Sequence, residues 1–208
     1  MGTEKAVIAV DLHGVVFDHD YKKMWRLFLQ DPRKAKLVFA LLNPFLWADL
    51  IRLTKKGAVA QEFLIDLAEK YCHLKPFIPL NIEIANQQKP KWDVIALLKK
   101  LKNKGYQLHL FSNIGSIFFE DLHRKFPEII NLFESFTIPS TQNGYLRKPD
   151  PIVFKKFLKT HAQKKQPVIL IDDKTKNTRA AEQLGITSIF FRSADQLERE
   201  LISNGIIL

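Results

Sequence analysis

At 208 residues, with 46% hydrophobic and 26% charged residues, the chain can bury a sizeable core, as one domain or one domain with an insertion, and is too apolar for disorder. Its 32 Lys and Arg against 22 Asp and Glu give a formal charge of +10, which favours anionic partners. The lysines are spread over Lys22, Lys23, Lys55, Lys56, Lys99 to Lys104, Lys155, Lys156, Lys164 and Lys165. That spread reads as solvated helix faces, and with no nucleic-acid motif beside it no nucleic-acid partner is expected. Cys72 stands alone, so it makes no internal disulfide; it reads as a small buried hydrophobe in a reducing, cytoplasmic setting.

In chain order, Ala6 to Val10 is a wholly apolar, β-branched run that predicts a strand buried on both faces. It lacks a small-residue cleavage site and ends on Asp11, so it is read as a strand and not as a signal peptide. A strand stopping at an acid, followed by Gly14, places that acid at the sheet edge where open α/β folds bind ligands. Asp11 is therefore a candidate for chemistry, against the simpler reading that it caps the turn.

From about His19 to Trp92 the sequence is helical and aromatic. Met24, Trp25, Leu27 and Phe28 sit at helical spacing, and Leu37 to Ile51 supplies a second apolar group broken by Asn43, Pro44 and Asp49. A membrane span needs about 20 predominantly apolar residues without such breaks. Two packed helices meeting at Asn43-Pro44 are expected, with membrane-surface contact as the lesser alternative. Gln61 to Tyr71 predicts a further amphipathic helix, and Asn86 to Pro90 a return linker. Phe17, Trp25, Phe28 and Trp47 are read as the core of this inserted block rather than a substrate wall.

The rest alternates helix and strand, as parallel sheets require. Helices are predicted over Val94 to Lys104, Ile117 to Lys125, Ile152 to Thr160, Thr178 to Leu184 and Gln196 to Ile202; strands over Leu108 to Phe111, Phe136 to Ile138, Val168 to Ile171 and Thr187 to Phe191. His109, inside a strand, is read as a core histidine. Right-handed crossovers bring all parallel strand ends to one edge, so Asp11, Ser112 and the pair Asp172-Asp173 can converge. Three carboxylates that close need a cation, and hard oxygen ligands suit Mg²⁺. Ser112, with the backbone N–H that follows it, can donate to an anionic oxygen, and Lys148 can neutralise further charge. An anion beside Mg²⁺ facing an aspartate describes phosphoryl transfer to a carboxylate nucleophile.

Taken together, DLHGV at Asp11 to Val15, FSN at Phe111 to Asn113, RKPD at Arg147 to Asp150 and LIDDKTKN at Leu170 to Asn177 resemble the four motifs of the haloacid dehalogenase superfamily, in order and spacing. The resemblance implies an α/β fold: a Rossmann-like parallel sheet of order 5-4-1-2-3 over residues 1–18 and 91–208, with a C1-type helical cap over 19–90. AAEQLGITSIFF also resembles the tail of the sugar-phosphatase and epoxide-hydrolase-domain branch. Asp11 would form an aspartyl phosphate, Ser112, Asn113 and Lys148 would bind the substrate's phosphoryl group, and Asp11, Asp172 and Asp173 would hold Mg²⁺, with Mn²⁺ or Co²⁺ as alternatives. The implied substrate is a small phosphorylated metabolite, handled by a monomer or homodimer, with cap motion near Asp18 and Pro90 gating access.

The chain departs from the phosphatase pattern at His13, where the resemblance implies a second Asp that protonates the leaving alkoxide. Three readings stand: His13 as general acid, as a further metal ligand, or as a replacement that leaves a weak or inactive phosphate-binding protein. Metal-independent 2-haloacid dehalogenation is a further alternative, and the intact Asp172-Asp173 pair speaks against it.

Overall fold

The computed structural model describes residues 5–32, 44–46, 48–49, 67–140, 143–162 and 166–208. The expected helices around Asn43-Pro44, the side chain of Trp47 and most of the Gln61 to Tyr71 helix lie outside these residues, although Leu67 and Ala68 are described and buried. Among the described residues no helix is long and apolar enough to cross a membrane.

The apolar run after Ala6 forms β1 (Val7–Val10), every residue of it buried. It is the central strand of a parallel sheet with β4 (Gln107–Phe111), β5 (Ser135–Thr137), β6 (Val168–Asp172) and β7 (Thr187–Phe190), ordered β5-β4-β1-β6-β7. Numbering these core strands alone in chain order gives the expected 5-4-1-2-3. Val10 lies between Leu110 and Ile171 in register, so Asp11, Ser112 and Asp172 are delivered together at the carboxyl ends. A fully buried strand is read from continuous apolar sequence because neither face meets water, and β1 shows that pattern.

The first compact unit comprises Met1–Asp18, Pro90–Asn113 and Phe126–Leu208. Its helices are α3 (Trp92–Asn103), α5 (Pro127–Ile130), α6 (Pro151–His161), α7 (Thr175–Glu182) and α8 (Ala194–Ser203). One face of the sheet buries Val7, Ala9, Phe111 and Leu170 against Val153, Phe154 and Phe157 of α6. Phe111 stacks on Phe157 at 4.9 Å and 8° and meets Phe154 edge-on, and each buried ring is worth roughly 1.5–3 kcal/mol. Gly105, just past α3, has φ +77°, the left-handed conformation that closes helices at little cost to glycine.

The second unit comprises His19–Lys89 and Ile114–Lys125 and includes α1 (Tyr21–Gln30), a 3₁₀ turn (Cys72–Phe77), α2 (Ile78–Ala85) and α4 (Ser116–Lys125). Within it α2 packs on α1 and on α4, and the buried Asn86 amide donates to the Phe118 carbonyl at 3.0 Å and to Asp121 at 2.9 Å. The expected linker at Asn86 to Pro90 instead contains β3 (Gln88–Pro90), which pairs with β2 (Phe17–His19). Strands of three residues are too short for alternation to register.

Three sequence expectations are corrected. Cys72 is exposed, because it opens a short 3₁₀ turn rather than facing a helix core. Trp25 is 64% exposed, since the half-buried residues of α1 are Met24, Leu27 and Phe28. Phe17 is buried, but in the first unit, where its ring lies 5.2 Å from that of Phe126.

His109 is the core histidine expected, 5% exposed. Its Nδ1 lies 2.5 Å from the Ser135 hydroxyl, which is 3.5 Å from His161 Nδ1. Burial, with the neighbouring His161 adding to it, pushes its pKa down to about 4. The unfolded chain, titrating near 6.5, therefore binds more protons between these values, so stability rises with pH across that window and falls as pH drops from 6.5 to 4. His109→Gln is expected to remove about 3 kcal/mol of that acid sensitivity, read from urea unfolding at pH 7 and pH 4. Equal losses in both proteins would show that His109 is not the acid-sensitive group.

Candidate active site

Asp11 leaves β1 with its main-chain N–H on the Ile171 carbonyl at 2.9 Å, while its own Oδ1 accepts the next amide, Leu12 N–H, at 2.8 Å. The turn-capping reading is met by this bond, which fixes one oxygen and orients the carboxylate. Asp172 closes β6 fully buried, and Asp173 follows it half-exposed. One carboxylate oxygen from each of Asp11, Asp172 and Asp173 lies within 4.8 Å of the others.

Lys148, only 1% exposed, enters from the loop before α6. Its ammonium donates to the Phe111 carbonyl and lies 2.5 Å from Asp172 Oδ2 and 3.3 Å from Asp11 Oδ1. An unpaired buried ammonium would be prohibitive, and the two carboxylates are what make it tolerable. Its main chain is held by Asn113, whose amide donates to the Lys148 carbonyl at 2.7 Å and accepts the Lys148 N–H at 2.9 Å. Asn113, expected on the phosphoryl group, thus has its side chain engaged in fixing the lysine loop. Ser112 is buried at the end of β4, with its N–H on Thr137.

Burial pushes Asp172 above the usual carboxylate range; Lys148 opposes this and Asp11 adds to it. Burial likewise raises Asp173, with Lys174 opposing and Asp11 and Asp172 adding to the rise. The Asp173 Oδ1 atom is buried without a hydrogen-bond partner among the described residues. A carboxylate with an unsatisfied oxygen, clustered with two further carboxylates, fits a hard divalent cation. Gly14, at φ +87°, admits this arrangement, because a Cβ there would stand 2.2 Å from Asp173 Oδ2. His13, between Asp11 and Gly14, is partly exposed and pairs through its backbone with Phe17.

Sequence reasoning assigned no role to Asn177 or Lys91. Buried Asn177, on the first turn of α7, donates from Nδ2 to Asp172 Oδ1 at 2.9 Å and Oδ2 at 3.0 Å. Its place five residues past Asp172, on the helix that leaves β6, is the signal that could have found it. Lys91 lies 77 residues from the Gly14 carbonyl it binds, and no local pattern marks it.

A family model described as haloacid dehalogenase-like hydrolase matches residues 53–191. The drimenol cyclase drtB of Aspergillus calidoustus is 26% identical over 200 residues, covering 93% of this chain and 35% of that protein, so the chain spans about a third of that relative's length. A haloacid dehalogenase family enzyme of Bacteroides thetaiotaomicron, in complex with magnesium and inorganic phosphate, is similar at a TM-score of 0.61 and 19% identity, over 90% of this chain and 94% of that one. L-2-haloacid dehalogenase of Xanthobacter autotrophicus, with chloropropionic acid covalently bound, is similar at a TM-score of 0.61 and 16% identity, over 98% and 85%. At these identities the solved structures show a shared fold.

Proposed function

Because the chain belongs to the haloacid dehalogenase-like hydrolases, we propose that it is a divalent-metal-dependent phosphatase of a small phosphate monoester. The observation that carries this reading is the cluster of Asp11, Asp172 and Asp173, with an unsatisfied oxygen on Asp173 and the Lys148 ammonium beside Asp11. Dehalogenation needs no such cluster. Asp11, Asp172 and Asp173 would hold Mg²⁺, which when bound offsets the negative charge of the phosphoryl oxygens.

Asp11 attacks phosphorus, the bond from phosphorus to the leaving oxygen breaks, and His13 gives that oxygen its proton. Neutral His13 then takes a proton from water as the water attacks the aspartyl phosphate, releasing inorganic phosphate and restoring Asp11. Ser112 and the N–H groups past β4 hold phosphoryl oxygens, while Lys148 and Asn177 keep the carboxylates oriented. The unit His19–Lys89 with Ile114–Lys125 is read as a C1-type cap that selects the ester.

A panel of alkyl and aryl phosphates in Mg²⁺ tests this reading, and activity that survives excess chelator overturns it. His13→Ala is expected to slow alkyl esters about 10²-fold and aryl esters, whose leaving groups depart as stable anions, far less. Equal slowing of both would remove the acid role. A second reading, phosphate binding without turnover, rests on His13 replacing the usual Asp; its signature is phosphate binding with no ester hydrolysed in any metal.

A further inference from the structure

Between Asp11 and β2 the chain folds back on itself. The N–H groups of Val16 and Phe17 both donate to the Leu12 carbonyl, at 2.9 and 3.0 Å, and the Gly14 N–H donates to the Phe17 carbonyl at 2.8 Å. One side of this loop is pressed on the site, since Gly14 leaves no room for even a Cβ beside Asp173. On another side stands Lys91, the N-cap residue of α3. Its main-chain N–H donates to the Val16 carbonyl at 2.9 Å and its ammonium donates to the Gly14 carbonyl at 2.7 Å. The ammonium is also 3.1 Å from Asp18 Oδ1 and 4.9 Å from the centroid of the Phe191 ring. All of these residues belong to the first unit.

Which of these contacts does the holding follows from exposure. The Asp18 side chain is 56% exposed, so that ion pair is screened by water and contributes little. The Lys91 side chain is only 22% exposed, and its bond to a main-chain carbonyl is charge-assisted. The face of Phe191 favours a cation in that place. Contact with Asp173 stops Gly14 from moving inward, and Lys91 stops it from lifting away.

We propose that Lys91 is a positioning residue: by clamping Gly14 against Asp173 it fixes the adjoining His13 for proton transfer. The clamp is a property of the first unit; its effect on His13 rests on the phosphatase reading above. A neutral side chain of similar length should free the loop without unfolding the sheet. The catalytic consequence should then fall on the step that needs a precisely placed proton donor.

Lys91→Met keeps the stem and the main-chain bond to Val16 while removing the charge; Lys91→Arg keeps the charge. In Lys91→Met the amides of Gly14, Val16 and Phe17 should exchange with solvent about tenfold faster, while those of β1 and β4 are unchanged. For alkyl phosphates kcat should fall about tenfold with KM within twofold, aryl phosphates should change less than twofold, and Lys91→Arg should recover most of both readouts. Unaltered loop exchange in Lys91→Met overturns the clamp. Faster exchange with equal slowing of alkyl and aryl esters overturns the link to His13. If the unsubstituted protein hydrolyses neither ester, the phosphatase reading falls, and the exchange measurement still decides the clamp.

Discussion

Asp11→Asn is expected to remove ester hydrolysis, by at least about 10³-fold in kcat, because the amide lacks the charge and lone-pair basicity that attack phosphorus. The substitution preserves shape, and the side-chain oxygen can still accept the Leu12 N–H that orients it. Lys148 keeps Asp172 as a partner at 2.5 Å, so no buried cation is stranded. Stability should therefore change by no more than about 1 kcal/mol, which separates loss of chemistry from loss of fold. The measurement is phosphate release in Mg²⁺ together with urea unfolding of the same preparation. Turnover within tenfold of the unsubstituted protein would mean that Asp11 is not the nucleophile.

The centre of the sheet was legible because β1 and β6 are buried on both faces: the runs VIAV and VILID carry no alternation to misread, and each leads to a polar residue. Glycine past α3 and proline at the start of α6 marked helix ends for reasons of backbone geometry alone. The convergence of Asp11, Ser112 and Asp172 was legible from strand topology, because parallel strands share one carboxyl edge. What Lys148 and Asn113 do there was not. A motif places a lysine near a carboxylate but does not say that its ammonium lies between Asp11 and Asp172, nor that Asn113 spends its amide on the lysine's own backbone. Lys91 was invisible for a different reason: the partners that tie it to the loop are the main-chain carbonyls of Gly14 and Val16, which leave no trace in side-chain patterns. Trp25 failed because helical spacing shows that a helix has an apolar stripe, not how much of that stripe a neighbour covers.

Lys148→Met should be the most destabilising of the substitutions considered, by roughly 3–5 kcal/mol in the presence of chelator. The thioether keeps the volume and the stem beside the Phe111 ring, which the ammonium now faces at 5.2 Å, so no large cavity contributes. What is lost is the cation. Asp11 and Asp172, 3% and 0% exposed, are left as neighbouring buried carboxylates, and the Phe111 carbonyl loses its donor. Removing one member of a buried pair costs far more than the pair contributes net, because the remaining charge stays desolvated. For a domain stable by about 5–15 kcal/mol this is a large share of the total. Mg²⁺ replaces the missing positive charge, so the variant should gain more stability from saturating Mg²⁺ than the unsubstituted protein does. Urea unfolding of both proteins with chelator and with Mg²⁺ checks each part. Equal stability in chelator would show that Lys148 does not hold the carboxylates together, and equal gains from Mg²⁺ would show that the cation does not bind among them.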